Sequence, residues 1–438
     1  MDQKTERYAE TLGRMIRMET VSDRTGSSTD KFRTFRRLLA ELFPDLFRQC
    51  GMTEFENGFV LKWEGSGTGR HPVLFMNHHD VVEANGNWEH DPFSGEIADG
   101  RIWGRGTLDD KGGLWAMLQA ADELVHESFV PDRDIWFSSS STEETTGEGA
   151  DEIARWFEAQ GIRFEMLFDE GGMILTEPIG GVKGTFAMIG VGEKGCADLR
   201  FIAKSKGGHA SMPGENTPLV RLGAFMAEAD KARIFPKEMN PAVCEMFRRF
   251  SPYMGAAGKL LAEPAKIKGL LCQIIPKISS KASALLRTTL AFTMAHGSEG
   301  TNVIPSEAWV VGNMRYSHHQ GQQGSFDAVR RLAKKYDVEM EIIDPGVPSG
   351  LADIQGSAFR LAEKALKDVF PDVVPAPYIM TGASDARFFD RVCDQCIRFL
   401  PFRISDEQLD SVHGLNENLD LDTLVPAVSY YKVLMKGV

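Results

Sequence analysis

A chain of 438 residues is longer than one hydrophobic core can serve, so its length predicts two or three domains. With 42% hydrophobic and 25% charged residues it has the balance of a globular protein, which excludes a disordered or fibrous chain. Its formal charge of −13 argues against the basic surface that a nucleic acid or an anionic membrane would require. The opening MDQKTERYAE has no basic segment leading into an apolar core, so no secretory signal is expected. No apolar run reaches the ~18 residues of a membrane span. Six scattered cysteines suit a reducing compartment, and a cytoplasmic location is the expectation.

The first two-fifths of the chain alternates short apolar runs with helical patterns, as an α/β sheet does. The runs at 73–76, 135–137 and 166–168 are apolar and bounded by polar residues, the pattern of buried strands. Between them, Leu114, Met117, Leu118, Ala121, Leu124 and Val125 share one face of a helix predicted over 111–127. After Gly195, CADLRFIAK alternates like a strand wetted on one face. A helix-like stretch follows Pro218, and residues 235–286 carry no clear period. TTLAFTM and EAWVVGNMRY read as strands, 327–336 as a helix and 339–343 as a strand, an α+β order of the split βαβ, ferredoxin-like kind. Helix and strand alternate again from Pro345. The predicted fold class is α/β: a domain built from residues 1–194 and 346–438, interrupted by a smaller α+β domain at 195–345.

Three polar clusters each follow a predicted strand: Asn77-His78-His79-Asp80, Thr142-Glu143-Glu144 and Asp169-Glu170-Gly171-Gly172. A fourth, GRGTLDDKGG, places Asp109 and Asp110 just before the helix that starts at Lys111. In an open α/β sheet, ligands bind at the carboxyl ends of the strands. Carboxylates gathered there repel one another unless a cation joins them. A mixed set of histidine and carboxylate suits zinc or a similar divalent ion. Each piece alone has an ordinary explanation: Asp109 as a helix N-cap, Glu143-Glu144 as a solvated loop, His78 as a structural histidine. Caps and loops do not explain why all four clusters lie beside one sheet edge.

These strings carry a resemblance. His78-His79-Asp80-Val81-Val82, Trp103-Gly104-Arg105-Gly106 with Asp109, Glu143-Glu144 with Gly147, Glu193-Lys194-Gly195, and His413-Gly414 with Asn416-Glu417 occur in the order found in one enzyme family. The sequence is similar to the co-catalytic zinc family that includes carboxypeptidase S, aminoacylase, succinyl-diaminopimelate desuccinylase and bacterial glutamate carboxypeptidase. The match runs from Met18 to His413, and the stretch from Trp88 to Ala150 most resembles the carboxypeptidase S branch. Departures are Asn77, Glu83 and Thr142, where the family commonly has Gly, Pro and Asp; none removes a ligand.

The resemblance implies a zinc-exopeptidase-like catalytic domain with an inserted lid or dimerisation domain. It implies two divalent metal ions per chain, zinc being the expected metal and cobalt or manganese able to substitute in vitro. Asp109 would bridge them, with His78 and Asp169 completing one site and Glu144 and His413 the other. Asp80 would orient the His78 imidazole, and Glu143 would act as the proton-transferring base. His209, in GGHASMP, would polarise the scissile carbonyl from the inserted domain. Asn302, Arg315 and the loop Gly382-Ala383-Ser384-Asp385-Ala386-Arg387, with Gly382 and Ser384 as its contacts, match positions that hold the substrate's carboxylate. A homodimer through the inserted domain, with His209 supplied by the neighbour, is one arrangement; a lid closing within one chain is the other.

Two strings are decoys. Gly190–Gly195 spells G-x-G-x-x-G, but that fingerprint must open a helix, and a strand-like pattern follows it. Cys393 and Cys396 spell C-x-x-C without a second pair or a thioredoxin-like surround. The expected function is a dinuclear metal-dependent hydrolase that cleaves an amide or peptide bond next to a free carboxylate, as a carboxypeptidase or dipeptidase does. The alternative is an N-acyl-amino-acid deacylase of the same mechanism. Its partners would be a small peptide or N-acyl amino acid, with no nucleic acid and no membrane. A non-catalytic binding protein on this fold is disfavoured, because Glu143 and all five proposed ligands are present. A thiol oxidoreductase would predict activity that survives chelation.

Overall fold

A computed structural model describes residues 2–23, 29–67, 69–231, 234–278 and 280–438. Among them, a large sheet has eight strands, in the spatial order Gly51–Phe55, Gly58–Trp63, Ile135–Ser140, Val73–Met76, Met166–Thr176, Cys396–Ile404, Thr185–Glu193 and Val374–Met380. The central strands run parallel, and Val73–Met76 and Ile135–Ser140 are buried throughout. Parallel strands need cover on both faces. One face is covered by the helices Lys111–His126 and Leu424–Lys436, packed on each other, and the other by the helix Glu148–Ala159. The helix predicted over 111–127 therefore forms as expected, with Leu114, Met117, Leu118, Ala121 and Leu124 in the core.

The smaller sheet is antiparallel, in the order Thr289–His296, Glu307–Tyr316, Gly195–Lys204 and Glu339–Asp344. Helices Pro218–Asp230 and Gly321–Lys335 bury Phe225, Phe326 and Val329 against Leu199, Phe201, Val310 and Met314 on one face. In chain order this is β-α-β-β-α-β, the split βαβ arrangement. The second helix starts earlier than the pattern suggests, because its first turn, Gly321-Gln322-Gln323-Gly324, is polar and adds nothing to the apolar period.

Three further features differ from what the pattern alone suggests. The strand at 166–168 runs on to Thr176, because Glu170 and Gly171 bulge out where Asp169 pairs with Arg398 and Gly172 with Phe399. The stretch without a period folds into short helices, Pro241–Phe250, Gly255–Leu261 and Lys268–Ile278, broken near Pro252 and Pro264. Those helices join the core of the large sheet, not the small one: Phe250 and Tyr253 pack edge-on against Phe186, with ring centroids 4.7 and 5.1 Å away. The chain therefore crosses between the two cores near Lys194, after Phe235, after Leu286 and after Asp344. The G-x-G-x-x-G string ends one strand and begins the next, with no helix. Cys393 and Cys396 are buried beneath the helix Glu148–Ala159. No helix among the described residues is long and apolar enough to cross a membrane.

Candidate metal centre and active site

Past the end of Val73–Met76, two histidines face opposite ways. His79 turns inward among Phe32, Phe35 and Phe59, with Nδ1 2.8 Å from Ser139 Oγ, and is a core residue. His78 turns to the sheet edge, where Nε2 lies 2.9 Å from Asp109 Oδ1. Its Nδ1 lies 3.0 Å from the Asp80 carbonyl and 3.3 Å from the Asp80 carboxylate. That pattern holds the Nδ1 edge of the ring on Asp80 and turns Nε2 toward Asp109, the atom a metal would take. The Asp80 carboxylate also accepts from the amides of Glu143 and Glu144, at 3.2 and 3.1 Å, and from Ser22 Oγ at 2.7 Å. One buried carboxylate thus orients His78 and fixes the loop of the glutamate pair.

Asp109 is placed by a second buried carboxylate. Glu417 accepts the amides of Gly106, Leu108 and Asp109 at 3.1, 2.7 and 3.1 Å, and the Arg105 guanidinium at 2.6 Å. Gly106 has φ of +92°, and a Cβ there would stand 2.9 Å from Val81, so the wrap around Glu417 requires glycine. Asp109 then offers one oxygen to each of two histidines: Oδ1 to His78, and Oδ2 to His413 Nε2 at 2.9 Å. His413 Nε2 also lies 3.0 Å from Glu144 Oε2. Ligand atoms of His78, Asp109 and Glu144 fall within 4.8 Å of one another. Asp169 stands on the strand next to that of His78, its Oδ2 accepting the Ala386 amide at 2.8 Å.

The electrostatics follow from burial and crowding. Burial pushes Asp169 up to about 6. It also pushes Glu143 well above the usual range, with Asp385 and Glu144 adding to the shift and His78 and Arg387 opposing it. Burial works the same way on Asp109, but hydrogen bonds from His413 and His78 win and hold its carboxyl well below the usual range. Those bonds to Asp109 and Glu144 raise His413 to about 10. Asp109 and Glu144 thus draw their positive charge from two imidazoles, and the buried Glu144 Oε1 has no hydrogen-bond partner among the described residues. Two imidazoles and the carboxylates of Asp109 and Glu144 in mutual contact, with Asp169 on the neighbouring strand, fit divalent ions of the zinc type.

Beside this group, Glu143, Lys194, Arg315, Arg387, Val347 and Phe388 line a cavity of about 530 Å³. Arg387 Nη1 lies 3.7 Å from Glu143 Oε1. Arg315 is steered by Asn313, whose Oδ1 accepts from its Nε at 3.1 Å. His209 and Asn302 are brought together elsewhere. They lie on an exposed ribbon in which Gly208–His209 pairs with Val303–Ile304, and neither lines the cavity. Gly382 is exposed, with nothing within 4 Å of a Cβ built there. Ser384 is buried, and its amide and hydroxyl are both spent on Glu193 Oε2, at 3.1 and 3.0 Å. The cavity wall in that loop is Ala383. Sequence reasoning assigned no role to Glu417 or Glu193; the available signal was their place inside the His413–Glu417 and Glu193–Gly195 strings.

Residues 74–437 match the family model described as peptidase family M20/M25/M40. The chain belongs to this family. It is 30% identical to a probable carboxypeptidase S-like 2 of Dictyostelium discoideum, over 98% of this chain and 84% of the relative. It is equally 30% identical to the human N-fatty-acyl-amino acid synthase/hydrolase PM20D1, over 99% of this chain and 88% of that protein. Among solved structures, it shares the fold of an M20 family metallo-carboxypeptidase, Sso-CP2 from Sulfolobus solfataricus. That likeness has a TM-score of 0.71 at 16% identity and covers 100% of this chain and 99% of the other. This member of the M20/M25/M40 family is a metal-dependent hydrolase of the peptidase and amidohydrolase kind.

Proposed function

We propose that this enzyme cleaves an amide bond next to a free carboxylate, with two divalent ions held by His78, Asp109, Glu144, Asp169 and His413, zinc being the natural choice. The supporting observation is that Glu143 and Arg315 line one cavity beside that ligand group. When bound, such ions acidify water and polarise the scissile carbonyl. Glu143 takes the proton of the attacking water and hands it to the departing nitrogen. The Nη atoms of Arg315 form a fork suited to a carboxylate, and Ala383, between Gly382 and Ser384, closes the wall. We place the units at 1–194 with 346–438 and at 195–345, the helices of 241–278 being lent to the larger core.

A small peptide is the first substrate class. An N-acyl amino acid is the second, favoured by Ile343, Val347 and Phe388 in the cavity and by the activity in the human relative's name. A panel of dipeptides and N-acyl amino acids, assayed with metal-loaded protein, decides between them. Amidating the carboxylate, or replacing Arg315 with Met, lowers kcat/KM at least about 10-fold, the scale of a lost charge-assisted contact of about 1.5–3 kcal/mol. An amide handled as well as the acid overturns this assignment.

His209 and Asn302 reach the site only by closure of the smaller unit or from a neighbouring subunit. His209→Ala should bind metal normally and lose most of kcat. Mixing His209→Ala with Glu143→Ala chains should restore part of the activity if a dimer shares its sites. A monomer in sedimentation with no recovery in the mixture assigns the closure to one chain.

A further inference from the structure

Glu193 is the last residue of the strand Thr185–Glu193, one step before the chain enters the smaller sheet. Its carboxylate is 1% exposed and paired with the equally buried Arg398, Nε to Oε2 at 2.7 Å. The same oxygen accepts the amide and hydroxyl of Ser384. Arg398 in turn donates from Nη2 to Ser349 Oγ at 3.1 Å, on the chain's return from the smaller sheet. The neighbouring Lys194 is buried too, and its Nζ donates to the carbonyls of Ala284 and Arg287 and to Thr289 Oγ1, at 3.1, 2.9 and 3.2 Å. Glu193 with its partner Arg398, and Lys194 beside it, therefore grip three of the passages between the cores.

The other end of this grip is the active-site wall. Ser384 begins the turn in which the Ala386 amide holds Asp169 and Arg387 Nη1 donates to the Ser384 carbonyl at 2.6 Å while facing Glu143. Asp385 accepts from Ser140 in the same turn. Burying both charges of the Glu193–Arg398 pair carries a desolvation cost that their attraction only offsets, so the pair contributes little net stability. Its geometry points to another role.

We propose that Glu193 is a positioning residue for the hydrolysis, coupling the passage into the smaller sheet to the turn that seats Asp169 and Arg387. This rests on the reading of Asp169 as a ligand and Glu143 as the base. Movement of the smaller unit then reaches the proposed metal site through this chain of hydrogen bonds.

Single changes leave one charge buried alone, so the test is the double variant Glu193→Met/Arg398→Met beside Ser384→Ala. At saturating zinc, the double variant should lose about 10–100-fold in kcat, the scale for partners of metal ligands, with KM changed by less than about threefold. Hydrogen exchange in the segment 382–389 should quicken, and the rest of the large sheet should keep its protection. Ser384→Ala should move both readings the same way, by less. Unchanged kcat and unchanged local exchange overturn the proposal, as does a loss matched by exchange rising throughout the molecule. If the double variant does not fold, Ser384→Ala decides by the same two readings. A wild-type enzyme inert on every panel substrate would end the functional reading instead, and the exchange result would still judge the coupling.

Discussion

Glu143→Ala is expected to lower kcat by about 10²–10⁴-fold, the range for removing a positioned acid–base group, while metal content and fold stay as in the wild type. The expectation follows from how the two glutamates divide. Both amides are tied to Asp80, so the backbone of the pair is fixed. Glu144 then reaches His413 and the Asp109 group, whereas Glu143 faces Arg387 and the cavity. Glu144→Ala should therefore lower metal occupancy, and Glu143→Ala should not. Equal metal loss in the two variants, measured by metal analysis after dialysis, would refute the division.

Asp109→Ala is expected to have the broadest effect, because each of its oxygens serves a different histidine. Without it His78 and His413 lose their shared partner, and the two halves of the ligand set are no longer joined. Metal affinity should fall by more than the ~10–100-fold that supporting residues command, with activity lost in parallel. Metal titration followed by assay checks this. A variant that still holds two equivalents of metal with wild-type affinity would show that the carboxylate does not bridge.

His78, Asp109, Glu144 and Asp169 are legible because each sits within a few residues of a short buried strand or a helix start, and such strands announce themselves by composition; His413 is legible only through the resemblance carried by the His413–Glu417 string. The alternation of apolar and polar residues likewise gave the smaller sheet. What escaped were the residues that act across distance in the chain. Glu417 fixes Asp109 from 308 positions away, and Glu193 holds Ser384 from 191 positions away. A carboxylate whose partners are backbone amides of another segment leaves no local pattern. The Met166–Thr176 strand outruns its apolar stretch because Glu170 and Gly171 bulge from it, and the helices of 241–278 are too short between prolines to show a period.

The helices lent by the middle of the insertion to the large core have a consequence for assembly of the protein. Strands Gly195–Lys204 and Glu307–Tyr316 are neighbours, yet Asp198 and Asn313, which share a hydrogen bond of 2.8 Å, are 115 residues apart. Closing so long a loop costs entropy before any pairing is rewarded, and such contacts slow folding. Docking 241–278 on the large core first anchors the middle of that loop and brings residues near 195 and 290 close together. The smaller sheet should then gain protection from hydrogen exchange only after the large one during refolding. A fragment of 195–345 expressed alone should expose Phe247, Phe250 and their neighbours and aggregate.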